Sequence, residues 1–267
     1  NSYIMILTAA KSGDSQKKSL SDRSEKMYTA YYPMYFDPTY LFVIVGVLLC
    51  MFASARVRTT YAKYERVRNH SGMTGRDAAE RILRGAGIFD VRIEHVSGHL
   101  TDHYDPRNKV LRLSDSTYGS ASVAAVGVAA HECGHAIQHA VGYAPLNIRS
   151  ALVPVANFGS TIAWPLIIFG LFLSGNSSSL LIQIGILAFS LSVLFQIITL
   201  PVEFNASGRA IRILGESGML YPDEISGTKR VLSAAALTYV ASAASAILQL
   251  IRIILITGGR GNGENDR

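Results

Sequence analysis

The sequence predicts a mainly α-helical integral membrane protein, with about four transmembrane helices and a cytoplasmic α+β domain. Of its 267 residues, 49% are hydrophobic and only 16% are charged, whereas soluble domains carry about 25% charged residues. Residues 136–201 contain no Asp or Glu, and Arg149 is the only Lys or Arg among them. All seven histidines lie between His70 and His139. The apolar residues and the chemically reactive residues are therefore segregated along the chain.

Four apolar segments are long enough to cross a membrane, which requires about 20 residues. They are residues 35–55, 151–173, 180–200 and 231–256. The second segment contains two prolines, which membrane helices tolerate, and Pro201 is expected to end the third. The fourth begins with many Ala and Ser residues, which allow helices to approach closely. A buried core helix remains the alternative for the first and the fourth segment.

The distribution of Lys and Arg predicts the orientation of the chain in the plasma membrane. Residues 56–149 carry thirteen Lys or Arg and residues 201–230 carry four, whereas residues 174–179 carry none. Since cytoplasmic loops are enriched in Lys and Arg, both basic segments are expected in the cytoplasm.

The predicted division of the chain follows from these spans. A disordered or foreign N-terminal extension comes first and a disordered tail comes last. The segments in order are 1–33 (extension), 34–55 (transmembrane helix 1), 56–149 (cytoplasmic domain), 150–257 (transmembrane helices 2–4, with the cytoplasmic segment 201–230) and 258–267 (tail).

Charge and cysteine content exclude two classes of protein. The net charge is +6, but no basic run suggests that the chain binds nucleic acid. The two cysteines, Cys50 in an apolar segment and Cys133 in a histidine-rich motif, do not form a disulfide framework.

Local patterns predict a mixture of helices and strands in the cytoplasmic domain. Thr74 and Asp77 form the signature of a helix start, and the apolar spacing that follows predicts a helix ending at Gly85 or Gly87. Alternating residues predict strands near 91–95, 99–104 and 109–113, the last two flanking a turn at 105–108. A long helix is expected over about 121–141.

This long helix carries the motif His131-Glu132-Cys133-Gly134-His135. Residues four apart share one face of a helix, so His131 and His135 can both bind one Zn²⁺. Glu132 projects about 100° away from His131, which lets its carboxylate reach a water molecule at the metal rather than the metal itself. The motif therefore predicts a catalytic zinc site with Glu132 as general base.

A catalytic zinc site needs a third protein ligand. His139 lies one further turn along the same helix, beyond an ion held between His131 and His135. The next acidic residue after Glu132 is Glu203, where Pro201 is expected to start a new helix on the cytoplasmic side. Three other acids in segment 201–230 remain open as alternatives: Glu216, Asp223 and Glu224.

The chain resembles the YugP-type membrane-bound zinc metallopeptidases over about residues 34–257. The matching blocks are Met34-Tyr-Phe-Asp-Pro38, Gly98-His-Leu-Thr-Asp-His-Tyr-Asp-Pro106, Val128-Ala-Ala-His-Glu-Cys-Gly-His-Ala-Ile-Gln138 and Leu200-Pro-Val-Glu-Phe-Asn-Ala-Ser207. The resemblance implies a neutral zinc peptidase with a zincin-like domain. More distantly, the chain is similar to the HtpX and CAAX-prenyl-protease gluzincins, whose third ligand lies in Glu-x-x-x-Asp. Glu203 matches that ligand, but Ser207 replaces the Asp.

We therefore expect a zinc metalloendopeptidase that hydrolyses peptide or membrane-protein substrates at the cytoplasmic face of the lipid bilayer. The alternative is a non-enzymatic, metal-stabilised membrane adaptor or quality-control scaffold, which would not need Glu132. The substrate and the oligomeric state do not follow from the sequence. Four residues are candidates to stabilise the oxyanion of the reaction, although ordinary packing or surface solvation is the favoured interpretation of each: His103, Tyr104, Tyr143 and Arg209.

Overall fold

The computed structural model describes residues 37–173 and 176–258. The predicted extension 1–33 lies outside the described residues, as does the predicted tail except for Gly258. The chain divides into the units Asn1–Leu41 and Phe42–Arg267. In the described part of the first unit, Thr39 donates its backbone N–H and its hydroxyl to the carboxylate of Asp37. All contacts below lie within the second unit.

Within the described residues, the chain forms six helices and three strands. In order they are α1 (Tyr40–Glu65), α2 (Gly75–Gly85), β1 (Arg92–Val96), β2 (His103–Asp105), β3 (Val110–Ser114), α3 (Val123–Ala140), α4 (Ala144–Phe172), α5 (Asn176–Glu216) and α6 (Pro222–Gly258).

Four of these helices, α1, α4, α5 and α6, are long and apolar enough to cross a membrane. The structure therefore confirms a mainly helical chain with four candidate membrane spans and a small three-stranded sheet. The helices extend beyond the predicted apolar segments, since α1 continues to Glu65 and α6 already begins at Pro222. Lys and Arg are good helix formers, so a helix does not have to end where its apolar segment ends.

Small residues allow α4 and α5 to pack closely against each other. A Cβ atom added to Gly159 would lie 2.6 Å from the carbonyl oxygen of Ala188, and one added to Gly185 would lie 2.6 Å from Ile167. Close approach of this kind is how helices associate in lipid.

The prediction that Pro201 ends one helix and starts another is wrong, because α5 continues through it to Glu216. A proline inside a helix removes one hydrogen bond and costs about 3 kcal/mol. Packing offsets this cost, since four residues after the proline, spaced four apart, are fully buried: Val202, Ala206, Ala210 and Leu214. This stripe belongs to the face of α5 that packs against α3.

The polar part of the chain forms a small sheet covered by two helices. The strand order is β1-β3-β2, with β1 parallel and β2 antiparallel to β3. Leu111 and Leu113 of the central strand are fully buried and pack into one core with α2 and α3. The predicted start of α2 is confirmed, because Thr74 and Asp77 each accept a hydrogen bond from the other's backbone N–H. Helix α2 ends at Gly85, as predicted.

Helix α3 is enclosed on several sides. It begins after Ser122, whose hydroxyl accepts a hydrogen bond from the backbone N–H of Ala125. Near its start, a Cβ atom on Gly127 would lie 2.8 Å from the methyl group of Thr228 in α6. Helix α3 therefore lies between the sheet on one side and the C-terminal part of α5 and the N-terminal part of α6 on the other.

Candidate metal centre

Helix α3 places the two histidines of the motif side by side. The ring centroids of His131 and His135 lie 4.8 Å apart, and the rings are nearly perpendicular. Both side chains are mostly buried, with exposed fractions of 14% and 12%. The four-residue spacing thus gives one pair of imidazoles on one face of the helix.

Helix α5 brings Glu203 to this pair. One carboxylate oxygen, Oε2, lies 3.3 Å from Nε2 of His131 and 3.6 Å from Nε2 of His135. One ligand atom from each of the three residues lies within 4.8 Å of the others, which is close enough to hold one metal ion. The structure thus brings together the three side chains that the sequence suggests as metal ligands.

Gly134 explains how α5 can come so close to the motif. A Cβ atom at this position would lie 2.6 Å from the carbonyl oxygen of Ala206, three residues after Glu203. Only glycine therefore allows the two backbones to meet at this distance.

Hydrogen bonds to the other ring nitrogens orient both histidines. Nδ1 of His135 lies 3.0 Å from Oε1 of Gln138, and the amide nitrogen of Gln138 donates to Val202 and Asn205 of α5. The Gln138 oxygen therefore accepts a hydrogen bond from Nδ1–H, which leaves the lone pair of His135 on Nε2, facing Glu203.

Ser207 has a comparable position beside the other histidine. Its hydroxyl lies 3.1 Å from Nδ1 of His131. A hydroxyl at this position can orient the ring as a neutral hydrogen-bond partner.

Arg149 binds the second oxygen of the Glu203 carboxylate, a role that was not predicted from the sequence. Its guanidinium donates to Oε1 at 3.1 Å. The signal was present, since Arg149 is the only Lys or Arg in a long stretch without acids. Its partner lies 54 positions along the chain, so no local pattern could reveal the pair.

Tyr239 of α6 is a second residue that the sequence analysis missed. Glu203, Glu132 and Arg149 all lie within electrostatic range of its hydroxyl. It is the only tyrosine in the Ala- and Ser-rich segment 231–256. A polar side chain in such a segment is the signal that could have pointed to it.

Glu132 lies beside the pair of histidines and is 9% exposed. Among the described residues it forms no hydrogen bond or ion pair, so its carboxylate is available to a ligand of the site. Burial lowers the pKa of His135, but the Glu203 carboxylate and the charge of Glu132 outweigh this effect and hold that pKa above its usual value. The two carboxylates thus create a negative potential that favours a cation.

Two other residues of the motif helix lie outside the centre. Cys133 is fully buried and its thiol lies 3.7 Å from the carbonyl oxygen of Ala79 in α2, and burial raises its pKa. It therefore stays a neutral thiol, and both cysteines are free. His139 faces β2, where its Nδ1 lies 2.9 Å from the hydroxyl of Tyr104.

The other residues suggested as oxyanion stabilisers also form contacts away from His131, His135 and Glu203. Nδ1 of His103 lies 2.8 Å from the carbonyl oxygen of Thr101. Arg209 donates to Asn205 on its own helix, and Tyr143 precedes α4 as its N-cap residue. Among the described residues, the structure instead brings Arg149 into a hydrogen bond with Glu203 and places Tyr239 within electrostatic range of it.

The three alternative acids are not part of the centre. Glu224 accepts hydrogen bonds from the backbone and ring of His70 and from the backbone of Tyr221. Glu216 and Asp223 are exposed to solvent.

The donor set fits a zinc ion. Oε2 of Glu203 is buried and has no hydrogen-bond partner among the described residues, although leaving a buried charged oxygen unpaired costs several kcal/mol. An ion between Oε2 and the two Nε2 atoms would satisfy it. Two imidazoles and one carboxylate are also the ligand set of one class of catalytic zinc site.

Comparison with known proteins agrees with this chemistry. Residues 39–258 match the model of a protein family described as "Putative neutral zinc metallopeptidase". The chain is 45% identical over 218 residues to "Putative membrane protease YugP" of Bacillus subtilis (strain 168), an alignment that covers 81% of this chain and 96% of that protein. No solved structure matches the chain.

Proposed function

Because the chain belongs to the neutral zinc metallopeptidase family, we propose that it is a membrane-embedded zinc endopeptidase. In this proposal His131, His135 and Glu203 hold Zn²⁺, Glu132 is the catalytic base, and the active site faces the cytoplasm at the plasma membrane. The observation that carries the metal assignment is the unpaired, buried Oε2 atom of Glu203, 3.3 and 3.6 Å from the two Nε2 atoms.

Each protein group at the centre has a role in peptide hydrolysis. When bound, Zn²⁺ supplies a Lewis acid that polarises a carbonyl and makes a water molecule acidic near neutral pH. Glu132 takes a proton from the attacking water and later delivers it to the leaving amine. Arg149 holds Glu203 in place through Oε1, and Gln138 and Ser207 hold the histidine rings.

The substrate is a peptide or a membrane protein in an extended conformation. Strand β2 is an edge of the sheet, and its residue Tyr104 contacts His139 of the motif helix. An extended segment can add to such an edge through backbone hydrogen bonds. This would place its peptide bonds beside α3.

The central experiment compares wild-type protein with Glu132→Gln. Both should contain one zinc ion per chain, because the three ligands are unchanged, but Glu132→Gln should lose nearly all cleavage of an unfolded protein substrate. Glu216→Gln, which changes an exposed carboxylate, is the matched control and should keep both properties. Normal cleavage by Glu132→Gln would refute the assignment of the base. A zinc-bound wild type that cleaves nothing would favour the adaptor alternative.

Orientation is tested by labelling intact cells with a membrane-impermeant maleimide. A cysteine replacing Ser179, in the first turn of α5, should react from outside, whereas one replacing Arg107, in the turn between β2 and β3, should react only after lysis. The reverse pattern would place the active site on the outer face.

A further inference from the structure

Helices α1 and α6 enclose a groove that the proposed peptidase site does not use. The two helices meet at two points: a Cβ atom on Gly46 would lie 2.6 Å from the Ser245 hydroxyl, and one on Gly227 would lie 2.8 Å from the ring of Tyr64. Between these points the helices leave a groove of about 570 Å³. They run antiparallel, so the groove has one wall from each.

The walls of the groove carry four cations and no acidic residue. Arg56 and Lys63 come from α1, and Lys229 and Arg230 come from α6. None of the four forms an ion pair with a carboxylate in the part of the chain that the structure describes. The hydroxyl groups of Thr60, Ser226 and Ser233 line the same space. The groove therefore offers hydrogen-bond donors and positive charge without a counterion of its own.

Two carboxylates near the ends of these helices are engaged elsewhere. Glu65, at the end of α1, lies 3.5 Å from Nε2 of His99. Glu224, near the start of α6, lies 2.7 Å from Nδ1 of His70 and is buried. Neither of them lines the groove, nor does the exposed Asp223, so the positive charge of the groove is left for an external anion.

The groove lies at the level of the membrane surface. Arg56 is the first charged residue after the apolar part of α1, and Arg230 is the last one before the apolar part of α6. On the same face of α1 as Arg56, one and two turns towards its start, Phe52 and Leu48 are 61% and 58% exposed. A ligand with a charged head at Arg56 can therefore lay an apolar tail along these side chains.

We propose that this groove binds the phosphate group of an anionic phospholipid, on the side of the membrane that carries the β-sheet. Basic pockets between transmembrane helices recognise such headgroups, and Arg and Lys are the side chains that bind phosphate oxygens. The continuity of the basic groove with exposed apolar side chains favours a lipid over a soluble phosphate.

The experiment uses the full chain, purified in a non-ionic detergent and titrated with phosphatidylglycerol or phosphatidylcholine under native mass spectrometry. The double variant Lys63→Gln/Lys229→Gln removes one charge from each wall. The control Arg58→Gln/Arg66→Gln removes one charge from α1 and one from the residue just after it, both outside the groove. All four side chains are exposed, and unfolding temperatures show whether the variants fold.

We expect wild type to retain phosphatidylglycerol and not phosphatidylcholine. The groove variant should bind it about 30-fold more weakly, the effect of two charges near the surface, and the control variant should bind it like wild type. Equal loss in both variants would show a diffuse surface attraction and overturn the proposal, as would no loss in either. Displacement of the lipid by millimolar inorganic phosphate would identify a soluble phosphate compound as the ligand instead.

Discussion

Replacing Gly134 by alanine tests whether the contact between α3 and α5 builds the metal centre. The new Cβ atom would lie 2.6 Å from the carbonyl oxygen of Ala206 and 3.1 Å from its Cα and carbonyl carbon. These are backbone atoms, so no side-chain rotation can relieve the clash. The distance between this Cβ atom and the carbonyl oxygen has to increase by about 0.8 Å, to the 3.4 Å at which ordinary van der Waals contacts begin. Helix α5 must move away from α3 by about this amount.

The size of that movement decides the expected effect. Glu203 lies less than one turn before Ala206, so a shift of α5 moves its carboxylate away from His131 and His135. Metal–ligand distances tolerate deviations of only about 0.2 Å, well below the required shift. We expect a loss of about 10–100-fold in zinc affinity and about 100-fold in activity. Overpacking should also lower the free energy of unfolding by about 1–3 kcal/mol.

The assay measures zinc retained against a chelator, kcat/KM on an unfolded protein substrate, and unfolding of the protein in detergent. Gly208→Ala is the matched control, because it lies on the same helix, two residues beyond Ala206, and a Cβ atom there meets nothing within 4 Å. It should leave zinc binding and activity unchanged and raise stability by up to about 1 kcal/mol. Wild-type zinc affinity and kcat/KM in Gly134→Ala would refute the argument that this contact positions Glu203.

Three further perturbations address the ligand, its support and an ion pair outside the centre. Glu203→Ala should lower bound zinc and peptidase activity together by about 10-fold or more, whereas Glu216→Ala should change neither. Gln138→Leu removes the acceptor of the His135 Nδ1 proton and should weaken zinc retention by about 10–100-fold. The hydrogen bond with Glu224 raises the pKa of His70 above 6.5. Its stabilising effect is complete below pH 6.5 and is lost as the pH rises through the raised pKa, so the unfolding temperature should fall there in wild type but not in His70→Asn.

Each of these expectations has a clear contrary result. Normal zinc content in Glu203→Ala together with loss in Glu216→Ala would move the third ligand to the end of α5. Unchanged zinc retention in Gln138→Leu would show that packing alone orients His135. A parallel pH dependence of wild type and His70→Asn would show that another group is responsible.

Features that depend on neighbouring residues could be predicted from the sequence. The start of α2 at Thr74 and Asp77 and the pairing of His131 with His135 rest on fixed spacings along a helix. Glu203 could be suggested by elimination, since no carboxylate lies between Glu132 and this position. In each case the information lies in the order of the residues.

Helix continuity at Pro201 could not be predicted, because it depends on a competition between local and distant terms. The local term, one lost hydrogen bond, favours a break. The burial of Val202 and Leu214 against other helices favours a continuous helix. This burial depends on how the helices pack and cannot be read from the residues around Pro201. The proline does cost a hydrogen bond, but the burial of the residues that follow it stabilises the helix by more than this cost.

The sequence by itself determined the four apolar helices, the motif helix and two histidines on one face of it, since composition and helical periodicity require nothing beyond the chain. Only the tertiary structure decided that α5 meets α3 at Gly134 and that Arg149 and Tyr239 join Glu203 there. These contacts join segments that are distant along the chain. Their geometry follows from which helix faces can approach closely, and this is a property of packed surfaces rather than of residue order.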